Sequence, residues 1–245
     1  MLKLTNVTLI GIDCVNSSRL SEAIDISEAE IIFGDVKLLS SIPTKDSRLV
    51  QIESIDTIED FSSFCINELH KYVNTTYCLL IQWDGFVLNP DNWDESFLCY
   101  DYIGSPWVVK DWAIDDFNFP GALRGQRIVG NGGFSIRSKK FLEVSSRLSK
   151  EGKISRFHPE DIALCVWYRS ELEKSGVTFA PVDLARRFSI EGADDVYDKQ
   201  FGFHGFYSTN IDKWFDGHPQ YRSLHKRYED AKRSRHHADW KPSKI

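Results

Sequence analysis

Four short segments carry side chains whose types and spacing could do chemistry. The first is Gln82-Trp83-Asp84-Gly85, which follows directly on the apolar run CLLI. This order predicts Asp84 at the carboxyl edge of a sheet, where open α/β sheets bind their ligands. A carboxylate there can hold Mg²⁺ or Mn²⁺, and the cation can neutralise a diphosphate leaving group. The alternative is a turn aspartate that caps a backbone amide.

The second segment is rich in glycine and consists of Gly130, Asn131, Gly132 and Gly133, followed by FSIR. Glycines permit a ligand or a neighbouring side chain to approach the backbone more closely than a Cβ would allow. The spacing matches neither a P-loop nor a dinucleotide-binding fingerprint. A plain hairpin turn is the alternative interpretation.

The third segment, His158-Pro159-Glu160-Asp161, begins a predicted amphipathic helix. One of its two acids could accept the proton of an attacking hydroxyl, because a general base must lie within hydrogen-bond reach of that proton. Asp161 is our first choice as the base and Glu160 the second. The alternative is that both acids only complement the positive end of the helix dipole.

The fourth segment is Gly202-Phe203-His204-Gly205, near the end of the predicted domain. A neutral imidazole is a good ligand for Mn²⁺ and a poorer one for Mg²⁺. His204 could therefore reach back to the cleft as a ligand, or it could be a structural histidine of a loop.

The elements that must position these residues alternate between strands and helices. The apolar and helical periodicities predict a strand over residues 7–15, a helix over 19–31 and a second strand in IIFGDVKLL. A helix over 57–73 and a buried strand over 77–82 follow. This alternation predicts an α/β fold that opens with parallel strands.

The second half of the chain has a less regular pattern. Residues 111–127 lack a clear period and are predicted to form a long loop or lid, in which most aromatic side chains pack the lid itself. These aromatic residues are Trp107, Trp112, Phe117 and Phe119. The helix that starts at Pro159 is predicted to end near Gly176, with a strand through VTFAP after it.

Composition limits the class of protein. A chain of 245 residues can bury one large core, so we predict a single catalytic domain. The formal net charge of −6 argues against nucleic-acid binding. The sequence lacks the pattern of a signal peptide and any long apolar run, which predicts a cytoplasmic enzyme.

The C-terminal residues differ from the rest of the chain in charge. Residues 221–245 are rich in Lys, Arg and His, which divides the chain into a domain over 1–220 and a basic tail over 221–245. The tail is predicted to be either a solvated helix with a frayed end or a contact with an anionic membrane. In the second case the enzyme would be peripheral at the inner membrane.

Taken in this order, the four segments resemble the GT-A glycosyltransferases. More closely, the motifs QWDG, YDYIGSPW, GNGGFSIR and PED are similar to those of a little-characterised bacterial family of glycosyltransferase-like domains, over roughly residues 7–205. The resemblance implies a GT-A-like, Rossmann-like fold with a mixed, mainly parallel central sheet flanked by helices. The nucleotide would lie on the N-terminal half of the sheet and the acceptor on the C-terminal half.

The resemblance also implies a role for each segment. Gln82, Trp83 and Asp84 would form the donor site, with Asp84 as a metal ligand and His204 as a further metal or diphosphate ligand. The loop from Gly130 to Gly133 would line the boundary between donor sugar and acceptor, and Asp161 would be the base. The chain departs from the usual acidic motif because Gln82 stands where the first of two aspartates is expected. Gln82 could still bond the donor ribose or a metal-bound water.

The resulting hypothesis is a glycosyltransferase that inverts the anomeric configuration with Mn²⁺ or Mg²⁺ as its cofactor. Its partners would be a nucleotide-sugar donor and a glycan or lipid-linked glycan acceptor of a bacterial surface polysaccharide. The alternatives are a metal-dependent phosphoesterase or nucleotidyl hydrolase, and a non-catalytic domain that binds nucleotide sugars. The motifs do not identify the nucleotide, the sugar or the acceptor, because pocket shape decides those choices.

Overall fold

The strands of the protein form one large sheet and two small ones. The computed structural model describes residues 1–235 and their side chains as far as residue 233. In this part of the chain the strands are β1 (Leu2–Ile12), β2 (Ile31–Ser40), β3 (Leu49–Gln51), β4 (Tyr77–Ile81), β5 (Gly85–Val87), β6 (Tyr102–Gly104), β7 (Pro106–Val108), β8 (Arg127–Val129), β9 (Phe134–Ser138), β10 (Ser189–Glu191) and β11 (Gly202–His204).

The large sheet has six strands in the order β3-β2-β1-β4-β9-β6. β1 pairs in parallel with both β2 and β4, and β9 pairs antiparallel with β4 and β6. Five strands therefore run in one direction and β9 in the other. The central strands are apolar on both faces, as in Leu9, Ile10, Leu79 and Leu80, because helices cover both sides of such a sheet. The predicted mixed, mainly parallel α/β fold is confirmed.

The remaining strands form two small sheets. β10 pairs in parallel with β11, and β11 pairs antiparallel with β5. β7 and β8 form an antiparallel pair on their own. The second sheet matters for function, because it carries the end of β11 back to the segment that follows β4.

The helices of residues 1–235 alternate with these strands. Thr57 shows how the sequence sets their starts, since its hydroxyl accepts from the amide of Asp60 at 3.0 Å as an N-cap. The helices are α1 (Ser17–Glu28), α2 (Ile58–Asn67), α3 (Asp111–Phe117), α4 (Lys139–Lys150), α5 (Glu160–Ile162), α6 (Arg169–Lys174), α7 (Val182–Phe188), α8 (Asp212–Gly217) and α9 (Arg222–Arg235).

The helix predicted to run from Pro159 to Gly176 is wrong as one continuous helix. It is divided into α5, a π-helical turn over Ala163–Trp167, and α6. The π turn accompanies the docking of Trp167, whose indole N–H donates to the carbonyl of Phe117 at 2.8 Å. π turns of this kind often occur at functional sites.

The strand predicted through VTFAP is also wrong as a regular strand. Phe179 makes only an isolated bridge to Tyr102 at the edge of β6. The amide of Ala180 still donates to the carbonyl of Tyr102 at 2.9 Å, but Pro181 has no N–H to continue the ladder and α7 begins directly after it.

The segment over residues 111–127 is partly helical rather than a loop throughout. It contains α3 and encloses a small apolar core made of Val109, Ala113 and Phe119 together with Ile162 of α5. Trp107 packs on Phe119 with ring centroids 5.4 Å apart, whereas Trp112 is 46% exposed. The prediction that most of these aromatic side chains pack the segment itself is confirmed, since Phe117 also packs on this core and Trp112 contacts Phe117 with ring centroids 5.9 Å apart.

The C-terminal helix packs onto the main body of the protein. Leu224 and Tyr228 of α9 are buried in the large hydrophobic core. The division at residue 220 stays a prediction, and residues 236–245 of the basic tail lie outside the described part of the chain. Over residues 1–235 there is no helix with both the length and the apolar character that crossing a membrane requires.

Candidate active site

A cleft of about 520 Å³ lies at the carboxyl ends of β1 and β4. Ligand sites for small molecules commonly have volumes of about 300–1,000 Å³. The cleft contains eight of the residues that the sequence predicts to be functional, which are Gln82, Trp83, Asp84, Gly132, Gly133, Glu160, Asp161 and His204. The other polar or aromatic residues that line it include Asp13, Arg19, His158, Glu191 and Tyr207.

A larger and shallower depression of about 1,100 Å³ lies elsewhere, around residues 91–94, 183–187 and 194–200. It contains none of the predicted functional residues. Its opposite charges are partly paired with one another, as in the contacts of Arg187 with Asp94 and of Arg186 with Asp195. The smaller cleft is therefore the better candidate, because it lies at the sheet edge where α/β folds bind ligands.

One wall of the cleft, which we call the cation side, consists of Gln82, Asp84, Glu191 and His204. β4 ends at Ile81, so Gln82 and Asp84 emerge at the carboxyl edge of the large sheet. β11 pairs with β5 so that His204 lies opposite Gly85, and the amide of Gly205 donates to the carbonyl of Asp84 at 3.0 Å. Residues 120 positions apart in the chain are brought together by this short ladder.

His204 has a polar contact at each ring nitrogen. Its Nε2 lies 2.9 Å from Oε1 of Gln82 and 3.3 Å from Oδ1 of Asp84. Its Nδ1 lies 3.0 Å from Oε1 of Glu191, at an angle unsuited to a regular hydrogen bond, and Oε2 of Glu191 has no hydrogen-bond partner. The predicted proximity of Asp84 and His204 is therefore present in the structure, with Glu191 as an additional acid.

The acids of the cation side favour a positive charge between them. Burial alone would lower the pKa of His204, but the carboxylates of Glu191 and Asp84 outweigh it and raise that pKa well above its ordinary value. Burial would likewise raise the pKa of Asp84, and its contacts with His204 lower it instead. In the absence of another cation, the proton on His204 supplies the charge that these buried carboxylates require.

Two distances of the cation side are compatible with a divalent metal ion. Ligands about 2.1 Å from an octahedral Mg²⁺ lie roughly 3 Å from one another, and Nε2 of His204 lies 2.9 Å from Oε1 of Gln82 and 3.3 Å from Oδ1 of Asp84. Gln82 offers an amide oxygen where a second carboxylate was expected. The charge of Glu191, 3.0 Å from Nδ1 on the far side of the ring, would favour a proton on Nδ1 and leave Nε2 as the nitrogen that could bind metal.

A second cluster of potential metal ligands is formed by Asp212, His225 and Glu229, whose ligand atoms all lie within 4.8 Å of one another. The ammonium group of Lys232 already lies 2.9 Å from Asp212 and 3.8 Å from Glu229. Because that side chain supplies the positive charge, we do not assign a metal to this cluster.

The glycine-rich loop separates the cation side from the opposite wall. A Cβ on Gly133 would lie 2.3 Å from Nε2 of His204, and a Cβ on Gly132 would lie 2.3 Å from Oε1 of Glu160. An alanine at either position would therefore displace His204 or Glu160. Gly130 packs instead against Trp107, and the carbonyls of Gly130 and Asn131 accept from the Tyr102 hydroxyl. Gly132 and Gly133 therefore line the cleft, whereas Gly130 and Asn131 support the loop.

The opposite wall, which we call the acid side, consists of Gly132, Glu160 and Asp161, and Arg137 lies buried directly behind it. Nη2 of Arg137 lies 2.6 Å from Oε1 of Glu160, and both side chains are buried. The same nitrogen donates to the carbonyl of Gly132 at 3.3 Å. Glu160, our second choice for the base, is therefore occupied by an ion pair.

Asp161 has a different environment, although it is the next residue. Its carboxylate accepts from the amide of Ile162 at 2.8 Å and from the amide of Gly132 at 3.3 Å. Burial, followed by repulsion from Glu160, raises the pKa of Asp161 to about 7. A carboxylate with a pKa near neutral pH is well suited to accept a proton during a reaction. The geometry therefore favours Asp161 over Glu160 as the base.

Comparison with known proteins places the site within a family. Residues 46–204 match the family described as "Protein of unknown function (DUF5672)". The chain belongs to this family. The matched DUF5672 region includes the cation side and the acid side and ends at His204, whereas β1 and α1 precede it. No curated protein matches the chain.

Solved structures with a similar chain path include enzymes of sugar transfer. The galactosyltransferase LgtC, in complex with donor and acceptor sugar analogues, is 11% identical, with 96% of this chain and 98% of that one covered and a TM-score of 0.46. The glycosyltransferase GlyE of Streptococcus pneumoniae is 10% identical, with 86% and 59% covered and a TM-score of 0.45. The bifunctional IspDF of Campylobacter jejuni is 12% identical, with 71% and 48% covered and a TM-score of 0.44.

These likenesses are too distant to transfer an activity, and the chain spans only about half the length of IspDF. The function of this DUF5672 protein must therefore be inferred from its cleft.

Several cleft residues of this DUF5672 protein were not predicted. Asp13 follows the apolar run of β1 as Asp84 follows that of β4, so the same pattern could have identified it. Glu191 ends a strand of three residues, which is too short for a readable pattern. Arg137 is completely buried, and nothing in the local sequence SIRSK predicts that. His158 lies in a segment already singled out, and its Nδ1 lies 3.0 Å from the Ser62 hydroxyl.

Proposed function

We propose that this protein is a metal-assisted, inverting glycosyltransferase, which moves a sugar from a nucleotide-sugar donor to a hydroxyl acceptor. One observation carries the proposal: a half-buried carboxylate, Asp161, with a pKa of about 7, faces the same cleft as the cation side. The two walls are separated only by the loop through Gly132 and Gly133. A transferase of this type needs both functions in one cleft, a base for the acceptor and a positive charge for the leaving diphosphate.

In the proposed reaction the acceptor oxygen attacks the anomeric carbon of the donor from the face opposite the diphosphate. A new bond forms between that oxygen and the carbon as the bond between the carbon and the diphosphate oxygen breaks. The acceptor proton passes to the Asp161 carboxylate, and the electron pair of the broken bond leaves on the diphosphate. Attack from the opposite face inverts the configuration of the sugar.

The electrostatics of the cleft support a bound cation during this reaction. Five carboxylates line it, from Asp13, Asp84, Glu160, Asp161 and Glu191. A nucleoside diphosphate would be repelled by these charges unless a cation entered with it. Mn²⁺ or Mg²⁺ held by Asp84, His204 and Gln82 would neutralise the diphosphate as a Lewis acid.

Glu160 and Arg137 have supporting roles in this proposal. Because Arg137 pairs with Glu160, Asp161 is the one of these two acids that stays available for proton transfer. Arg137 also binds the carbonyl of Gly132, whose amide donates to Asp161, so it connects the loop to the base.

For the acceptor, we propose a hydroxyl of a glycan or a lipid-linked glycan in a bacterial surface polysaccharide. The motif resemblance supports this choice. The exposed basic side chains of α9, among them Arg222 and Lys226, would suit an acceptor held at an anionic membrane surface.

The test is a screen for transfer. The purified chain would be incubated with a panel of nucleotide sugars, Mn²⁺ or Mg²⁺, and a mixture of glycan acceptors, and products would be detected by mass spectrometry. The configuration of a product would be read from its NMR coupling constants. Asp161→Asn is the inactive reference, and Asp116→Asn, at an exposed position of α3, is the matched control.

We expect a metal-dependent glycoside product with inverted configuration, which the Asp116→Asn control also makes. Release of free sugar or nucleotide without a glycoside would indicate a hydrolase instead. Donor binding without any turnover would indicate a non-catalytic nucleotide-sugar-binding domain.

A further inference from the structure

We propose that Arg19 is a diphosphate-binding residue of this cleft, which binds the donor's phosphates together with the cation site. The inference rests on the proposed function, because it names a further ligand of the same donor. Arg19 precedes the DUF5672 region, and no sequence motif predicted a role for it.

The first support for this role is that Arg19 is held in place by a buried acid. Its Nε lies 2.5 Å from Oδ2 of Asp13, a residue that is only 1% exposed. The other oxygen of Asp13 accepts from the amides of Val15 and Asn16, each at 2.8 Å. Three hydrogen bonds therefore fix the Asp13 carboxylate. It orients the guanidinium of Arg19 through Nε alone.

The second support is the position of the guanidinium over an aromatic ring. Its central carbon lies 4.6 Å from the centroid of Trp83, the residue directly before Asp84. Stacking on Trp83 and pairing with Asp13 leave the plane of the guanidinium little freedom. Arginine held in this way is preorganised to bind phosphate through two parallel hydrogen bonds.

The third support is that the remaining donors of Arg19 have no protein partner. Within the described residues, the hydrogen bonding of Arg19 involves Nε alone, and the side chain is 21% exposed in the cleft. The two terminal nitrogens carry four N–H groups, which are available to a ligand. Phosphate oxygens that accept from these N–H groups would form hydrogen bonds in which both the donor and the acceptor carry a charge.

The fourth support is electrostatic. Among the described residues that line the cleft, Arg19 is the only arginine or lysine. It also lies in the first turn of α1, which contains no acid, so its charge adds to the positive end of the helix dipole. A divalent cation at Asp84 and the guanidinium of Arg19, which stacks on the neighbouring Trp83, could then both contact one diphosphate.

The test is equilibrium binding of nucleoside diphosphates to the full chain. UDP, GDP, ADP, CDP and dTDP would be titrated calorimetrically with Mn²⁺ present and again with the metal chelated. The tightest of them would be compared with its uncharged nucleoside, whose binding would be followed by ligand-observed NMR. The proteins would be wild type, Arg19→Gln, Arg19→Lys, Asp84→Ala and the control Arg147→Gln, which removes an exposed arginine of α4.

We expect Arg19→Gln to weaken diphosphate binding about tenfold to a hundredfold, the usual effect of losing hydrogen bonds to a charged group. Nucleoside binding should be unchanged, Arg19→Lys should be intermediate, and Arg147→Gln should resemble wild type. Asp84→Ala should lose the metal-dependent part of the affinity and keep the part that depends on Arg19.

The inference is overturned if Arg19→Gln, folded by circular dichroism, keeps the wild-type affinity for the diphosphate, or if it loses nucleoside and diphosphate binding equally. If Arg19→Gln does not fold, the double variant Arg19→Lys with Trp83→Phe takes its place. Wild-type affinity of that double variant for the diphosphate also overturns the inference. If wild type binds no diphosphate, both the inference and the proposed function fail. Binding that depends on Arg19, without any sugar transfer, would retain the inference and remove the proposed function.

Discussion

The two walls of the cleft use the same acidic side chains in opposite ways. On the cation side, Asp84 and Glu191 flank His204, so their charges stabilise a proton on the imidazole and the pKa of Asp84 is lowered. On the acid side, Glu160 forms an ion pair with Arg137, and burial followed by repulsion from Glu160 raises the pKa of Asp161 to about 7. Neighbouring carboxylates whose pKa values are separated in this way can divide two roles between them.

The difference follows from which partner each carboxylate has, rather than from burial alone. At the cleft, Asp84 is buried and Asp161 is half-buried. Asp84 faces an imidazole, whereas Asp161 faces only backbone amides and a second acid. One wall is therefore suited to hold positive charge, and the other to take up a proton.

The largest expected effect comes from removing the base. Asp161→Asn should lower kcat by about 10²–10⁴-fold, the usual contribution of a general base, while the dissociation constant of the donor stays near that of wild type. Steady-state kinetics and calorimetry would measure the two quantities. A parallel loss of donor affinity would mean that Asp161 belongs functionally to the cation side, and the distinction between the walls would not stand.

The buried ion pair of the acid side gives the next effect. Arg137→Met leaves Glu160 as an unpaired buried charge and should lower the free energy of unfolding by about 3–5 kcal/mol. Adding Glu160→Met to Arg137→Met should recover most of that loss. Urea unfolding of the two variants and wild type would decide the point, and equal stability of the single and double variants would contradict it.

The glycines of the loop allow each wall to be perturbed separately. A Cβ at residue 133 would press on His204, and a Cβ at residue 132 would press on Glu160. Gly133→Ala should therefore weaken Mn²⁺-dependent donor binding, whereas Gly132→Ala should mainly lower kcat, and each should cost about 1–3 kcal/mol of stability through overpacking.

The matched control for both loop variants is Gly121→Ala, at a position where an added Cβ meets no atom within 4 Å. If Gly132→Ala and Gly133→Ala had the same kinetic profile, the loop would not separate two functional walls.

The smallest effect concerns pH. Asp161 accepts a proton only when it is ionised, so activity limited by the base should rise with pH and level off above about pH 7. Below that value the rate should fall about tenfold per pH unit, because the protonated fraction grows in that proportion. A pH profile of kcat/KM, with thermal unfolding recorded at each pH, would show it; a flat profile between pH 5.5 and about 8 would argue against Asp161 as the base.

The sequence predicted that Asp84 and His204 would lie at the cleft, and both line it. Asp84 was singled out because only Gln82 and Trp83 separate it from the apolar run CLLI, and His204 because it lies in the segment GFHG late in the chain. The fold class followed from the alternation of strands and helices, since the central strands are long and apolar. Asp13 has the same pattern as Asp84 and was overlooked.

Other parts of the site depend on contacts between distant residues, which a single sequence does not reveal. Arg137 appears beside two lysines in SIRSKK, a context typical of a surface, and its burial depends on its ion pair with Glu160, which lies 23 residues further along the chain. Glu191 acquires its role from the pairing of two strands of three residues each. The π turn after Asp161 preserves an amphipathic pattern, so the sequence predicted an unbroken helix there.

The most direct test of the division between the walls is donor binding measured side by side in Asp84→Ala and Asp161→Asn. Calorimetric titration of one nucleotide sugar with Mn²⁺ would be followed by turnover assays on the same preparations. Our account predicts that Asp84→Ala loses metal-dependent binding, whereas Asp161→Asn binds the donor as wild type does and turns it over far more slowly. Retention of metal-dependent binding in Asp84→Ala, or equal loss of binding in both variants, would contradict it.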